Sequence, residues 1–201
     1  MARTTKADPR DPSRSAGEDL LPLSSPRLLL RDFDPEDFWE VHAYTSDPEV
    51  TRWLPWGPCT EVETQELLDR AAGYRVPEPR TDYSLAIVER SSGRVIGSGS
   101  LFTRQAREGE LEVGYCLARQ AWGKGLAKEA VTALLGFAFE GLGMHRVFAL
   151  VDLENPASAG VLTSLGFRRE GHLRKDSRLK GEWRDSLLFA ILEEEWPPAK
   201  G

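Results

Sequence analysis

The sequence predicts a mixed α/β (α+β) fold of about seven strands flanked by about four helices. Three observations predict it. Alternating runs at residues 83–88 and 95–102 flank the hairpin signal Ser91-Ser92-Gly93-Arg94. A helical pattern from Gly125 to about Glu140 is apolar on most sides, so it packs against a sheet rather than lying in water. The unbroken apolar run Val147–Val151 reads as a central strand covered on both faces.

At 201 residues the chain suits one domain plus a tail. Residues 1–22 read as a disordered tail and residues 23–201 as the domain. In the tail, Pro9 and Pro12 break any helix, arginines offset acids, and little is available to bury. A partner-binding arm is the alternative for that segment. The first strand falls on Arg27-Leu28-Leu29-Leu30-Arg31. Asp34-Pro35 opens a helix with Phe38 and Val41 on its buried stripe, and Asp47-Pro48 ends it. Residues 50–60 form a stiff loop holding Trp53 and Trp56. Thr60 and Glu63 make a capping box for a second helix to about Tyr74. After the hairpin comes a third consecutive strand, Glu110–Leu117, then the long helix and the strand Val147–Val151. Gly97 and Gly99 allow another backbone to approach closely. A short helix runs from Pro156 to Leu165, capped by Asn155. Strands near residues 167–173 and 187–192 finish the chain, giving β-α-α-β-β-β-α-β-α-β-β.

Composition excludes several classes. Lys+Arg total 26 and Asp+Glu 32, for a net charge of −6, which argues against a DNA-binding surface. Two cysteines, Cys59 and Cys116, show neither disulfide nor zinc-ligand spacing, so no metal is expected. No run is long enough to span a bilayer and no secretory signal is evident, so a cytoplasmic location is expected.

The chemistry sits in Gln120-Ala121-Trp122-Gly123-Lys124-Gly125-Leu126-Ala127, between a strand and the long helix. Alternate glycines let the backbone turn tightly, and the first amides of the following helix lack intrahelical partners. With the helix dipole behind them they can cradle a phosphate, and Lys124 adds charge. A plain tight turn would leave the same trace. The spacing fits neither GxxxxGK[ST] nor GxGxxG, since Lys128 takes the last glycine position of the latter.

Gln120-x-x-Gly123-x-Gly125 resembles the pyrophosphate loop of the GNAT acetyltransferases, which bind acetyl-CoA. Glu112-Val113-Gly114-Tyr115 is similar to the strand before that loop in the RimJ/RimL branch, which acetylates ribosomal-protein N-termini. Asn155-Pro156-Ala157-Ser158 with Leu165-Gly166-Phe167, Trp183-Arg184-Asp185 and Glu195-Trp196 follow in the family's order. The resemblance covers residues 25–196. It implies a GNAT-like mixed, mostly antiparallel sheet, splayed between its fourth and fifth strands, with pantetheine in the splay. By position, backbone groups of Leu117 and Ala118 would meet pantetheine. The loop Gln120, Gly123, Lys124, Gly125, Leu126 and Ala127 would hold the pyrophosphate through amides of residues 123–127. Asn155 would bond the pantetheine arm and Ser158 would face the thiol end. The implied reaction is acetyl transfer to an amine, most often a protein N-terminus such as a ribosomal protein's. Small amines (polyamine, amino acid, aminoglycoside) or a non-catalytic acyl-CoA-binding module are the rivals. The chain would act as a monomer or homodimer.

Many family members carry an acidic Tyr where this chain has Leu162. Ser158 is then the candidate acid, or a helix-turn residue. Glu112 is the candidate base, acting through water, with Glu110 second; a carboxylate on a solvated strand face is its plainer reading. Trp53 and Trp56 either wall an acceptor cleft or cover the sheet. His42, His145 and His172 read as structural, and Cys116 as a small core residue.

Overall fold

The computed structural model describes residues 20–103 and 108–196. Its eight-stranded sheet runs β1 (Leu23–Ser24), β2 (Leu28–Asp32), β3 (Tyr83–Glu89), β4 (Arg94–Phe102), β5 (Glu110–Leu117), β6 (Arg146–Asp152), β8 (Glu182–Leu192), β7 (Arg168–Leu179). Every neighbouring pair is antiparallel except β5–β6, which is parallel. The helices are α1 (Phe38–Thr45), α2 (Glu61–Gly73), α3 (Leu126–Gly136) and α4 (Pro156–Ser164).

Local signals account for most element ends. Asp34 accepts from the Glu36 amide to start a short 3-10 turn that runs into α1. Thr60 and Glu63 close their capping box at the start of α2. The expected long helix ends its α-helical part at Gly136 and finishes as a wider π turn, Phe137–Gly141.

Two apolar layers cover the sheet. On one face Leu126, Ala130, Leu134 and Leu162 of α3 and α4 pack with Leu85, Leu101 and Val113. On the other, Val41, Tyr44 and Leu68 of α1 and α2 pack with Ala86, Val95 and Cys116. Gly97 permits close approach of β5, and Gly99 of α3. A Cβ on Gly97 would stand 2.2 Å from the Cys116 carbonyl, and one on Gly99 2.9 Å from Leu134.

The strand count differs from the expected seven by β1, whose two residues are too few to show alternation. The last hairpin is also longer than expected. Residues 174–179 and 182–186 extend it, and their mostly polar, largely exposed sequence hides the strand period. Its tip turns at Lys180 (φ 48°) and Gly181 (φ 91°), the paired positive values that suit a tight hairpin. Most of the expected tail lies outside the described residues. Among the described residues, no helix is long and apolar enough to cross a membrane.

Candidate active site

Strands β5 and β6 pair only over Glu110–Glu112 against Arg146–Phe148, and then part. This is the expected splay, shifted by one in strand number because β1 is counted. The Ala118 amide donates to Ile96 O at 2.8 Å, which fixes the phase of the β4–β5 ladder. By antiparallel alternation, the backbone groups of Val113, Tyr115 and Leu117 therefore face the gap. The Leu153 amide on Asp185 O sets the phase of β6–β8 in the same way and turns Leu150 toward the gap from the other side. Two strand edges thus face each other across a space that an extended, amide-bearing ligand could bridge.

The ladder also refines the pantetheine contacts. Ala118 has both backbone groups engaged, its N–H on Ile96 O and its C=O by the Ala121 amide at 2.9 Å. The Ala118 amide therefore faces β4, and its buried turn completes the strand. Leu117 faces the gap, and its carbonyl accepts the Trp122 indole N–H at 2.7 Å.

The Gly123–Gly125 loop lies at the foot of the gap. Both glycines sit at φ +73°, where a side chain would be strained. Gly125 is the N-cap of α3 and supplies no capping side chain. Residues 122–125 are exposed, as is Gln120, whereas Leu126 turns into the core and Ala127 is half-buried. Space beside exposed amides at a helix start fits a diphosphate.

The gap divides the candidate catalytic residues between two faces. Alternation along β5 puts Leu111 and Val113 in the α3/α4 layer and Cys116 in the α1/α2 layer. Glu112 shares the parity of Cys116 and is the last β5 residue paired to β6. On the opposite face the Tyr115 hydroxyl meets Ser158 Oγ at 2.9 Å and Ser158 O at 3.3 Å. Burial pushes the Tyr115 phenol up to about 12, against a lowering hydrogen bond from Ser158, so it stays protonated at neutral pH. Leu162 is fully buried. A tyrosine hydroxyl thus reaches the start of α4 from β5, a contact visible only in three dimensions.

A cavity of about 750 Å³ opens on the α1/α2 side, walled by Phe33, Trp53, Trp56, Tyr74 and Phe102. Glu112, Asp82 and Asp176 also line it. Its floor carries Ser84, Ser98 and Ser100. Both expected tryptophans therefore wall a cleft. Trp53 has Arg52 4.6 Å from its ring centroid and Arg184 at 5.4 Å. Arg184 also grips Asp152 through two 2.9 Å hydrogen bonds. Burial opposes the Asp152 charge, yet those bonds and the Glu154 amide hold its carboxyl below the usual range. From the hairpin tip, Lys180 Nζ donates to Thr51 O at 2.9 Å.

Other candidates have different occupations. Glu110 is bound by Arg146 at 2.7 Å. Asn155 Oδ1 caps α4 by accepting from the Ser158 amide at 3.1 Å, and Asn155 also lines the cavity. The Cys116 thiol is buried and pushed up to about 12 by burial, too weak an acid to serve as a nucleophile. His42 bonds Thr64 and His172 bonds Asp185. Among the described residues, no group of three or more metal-ligating side chains occurs.

A sheet that opens beside a glycine-bounded helix start, with polar groups on both faces of the opening, defines a class: the acyltransferases built around a CoA thioester. Within that class the chain belongs to the GNAT acetyltransferases, whose acetyltransferase (GNAT) domain model matches residues 27–168. It is 34% identical over 175 residues to the uncharacterized N-acetyltransferase p20 of Bacillus licheniformis, covering 87% of this chain and 97% of that one. It is 33% identical over 187 residues to the [ribosomal protein uS5]-alanine N-acetyltransferase of Escherichia coli K12, covering 89% and 94%. A GNAT-family acetyltransferase structure from Bacillus anthracis superposes with TM-score 0.79 at 30% identity, covering 87% and 100%. The chain is an N-acetyltransferase.

Proposed function

We propose that the enzyme acetylates protein N-terminal α-amines. The observation that carries this reading is the 750 Å³ aromatic-walled cleft, which meets the gap at Glu112. It is wide enough for the first residues of a peptide, with the amine innermost. The resemblance to the uS5-alanine enzyme over most of both chains supports the same acceptor class.

Acetyl-CoA, when bound, supplies the acetyl group as a thioester. The amides of residues 123–127 hold its pyrophosphate, and Leu117, Tyr115 and Val113 offer backbone groups along its arm. The Leu117 amide polarises the acyl carbonyl. Glu112 takes, through water, the proton that an ammonium acceptor must lose. On the opposite face Ser158 donates its Oγ proton toward the leaving sulfur. Either hydroxyl of the Tyr115–Ser158 pair can donate to the other; with the phenol as donor to Ser158 Oγ, the serine proton is free to point into the gap. A thiolate is stable near neutral pH, so a hydroxyl donor suffices there.

The acids Asp82, Glu112 and Asp176 in the cleft favour one second reading, a polycationic small amine. The chain is 24% identical over 174 residues to the spermidine N(1)-acetyltransferase of Escherichia coli K12. A thiol-release assay with acetyl-CoA separates the two. Turnover of Ala- or Ser-initiated peptides is expected; turnover of polyamines alone overturns the protein-acceptor reading.

A further inference from the structure

The start of β2 reaches beneath the glycine loop. Arg27 Nη1 donates to the Lys124 carbonyl at 2.9 Å. Its Nε donates to Glu129 Oε2 at 2.6 Å, and its backbone amide donates to Glu129 Oε1 at 2.7 Å. Ser25 Oγ adds a third bond to that carboxylate, at 2.7 Å. Glu129 lies in the first turn of α3. Burial opposes its charge, but the bonds from Ser25 and Arg27 prevail and hold the carboxyl below its usual range. The Glu129 side chain is 14% exposed and that of Arg27 51%.

The Lys124 carbonyl shares a peptide plane with the Gly125 amide. In a trans peptide the two point in opposite directions. Because the Lys124 carbonyl points at Arg27, the Gly125 N–H points away from it. That plane is otherwise easy to turn over. It needs only compensating rotations at Lys124 ψ and Gly125 φ, and glycine is comfortable at either sign of φ. Turned over, the loop would present a carbonyl oxygen where an anion should sit. A Cβ built on Gly125 would lie 3.7 Å from Arg27 Nη2, so the guanidinium is in van der Waals reach of this residue.

We propose that Arg27, held by Glu129, is a positioning residue that latches the 124–125 peptide with its amide facing the pyrophosphate. The inference rests on the reading of residues 123–127 as the pyrophosphate cradle. Nothing in the strand pattern of residues 27–31 signals it, because the partners are 97 and 102 residues away.

Isothermal titration with CoA, alongside steady-state kinetics with acetyl-CoA and with acetyl-pantetheine, which lacks the diphosphate, tests it. Arg27→Ala should weaken CoA binding by roughly tenfold to a hundredfold, the scale for losing one hydrogen bond to a charged group. Acetyl-pantetheine turnover should be unchanged. Arg27→Lys keeps the charge but cannot span Glu129 and the carbonyl together, so it should resemble the alanine variant. Glu129→Gln should fall between them and the parent. Native CoA affinity in a folded Arg27→Ala protein overturns the latch. So does full rescue by lysine, which would leave charge alone as the cause, and so does an equal loss with acetyl-pantetheine, which would mean a damaged fold. If the parent enzyme itself handled both thioesters equally, the cradle reading would fail instead, a result distinct from any of these.

Discussion

Tyr115→Phe and Ser158→Ala, singly and together, probe the arrangement on the α3/α4 face. Tyr115→Phe keeps the ring in place and deletes one hydroxyl whose neutral bond to Ser158 spans 2.9 Å. Such a bond contributes about 0.5–1.5 kcal/mol, so kcat should fall about two- to tenfold. Ser158→Ala removes the donor proposed for the leaving sulfur. The low end of proton-transfer help applies to a thiolate, so a loss of about one to two orders of magnitude is expected. The start of α4 should survive, because Asn155 Oδ1 accepts from the Ser158 amide and not from its hydroxyl. Since Tyr115 acts through Ser158, the double variant should be no slower than Ser158→Ala alone. The assay is thiol release under saturating acceptor, repeated with acetyl thioesters of progressively more acidic thiols, where all deficits should shrink. Multiplying effects in the double variant, or an unchanged kcat in Tyr115→Phe, would refute the relay.

Two other outcomes follow from the same structure. Trp56→Ala should raise KM for a peptide acceptor about tenfold or more while leaving the Kd for CoA within about twofold, because Trp56 lines the cleft away from the glycine loop. Titration of CoA into the variant beside peptide kinetics checks this. Alkali should destabilise the fold: burial raises Tyr115 from 10.0 to about 12 and Cys116 from 9.0 to about 12. Stability held by their neutral forms is complete below the unfolded values and is lost as pH rises toward 12. Thermal melts between pH 8 and 12 should fall, less steeply in Tyr115→Phe, and native Cys116 should resist thiol reagents at pH 8.

What the sequence made legible was local. The Thr60–Glu63 capping box, the Asp34 cap and the paired glycines at 123 and 125 each act within a few residues, and each appears where its pattern lies. The splay came from family resemblance, and the β5–β6 register bears it out. The polar part of β7 in the last hairpin escaped because residues 174–178 are exposed on both faces, which erases alternation. Tyr115 with Ser158, 43 residues apart, and Arg27 with Glu129, 102 apart, had no local trace. Which backbone groups of residues 117 and 118 face the gap is a matter of ladder phase, and residue type does not encode phase.

The contact of Lys180 with Thr51, across 129 residues of sequence, has a consequence for how acceptor preference could be re-engineered. The loop of residues 50–60 and the tip of the last hairpin are two halves of one wall. Arg184 extends the joint by touching Trp53 while gripping Asp152 at the end of β6. A transplant of the tryptophan loop from a relative would arrive without its counterpart, and so would a transplanted hairpin tip. If the cleft selects the acceptor as proposed, the two segments act as a matched pair, and a chimera should exchange both together to carry a new preference.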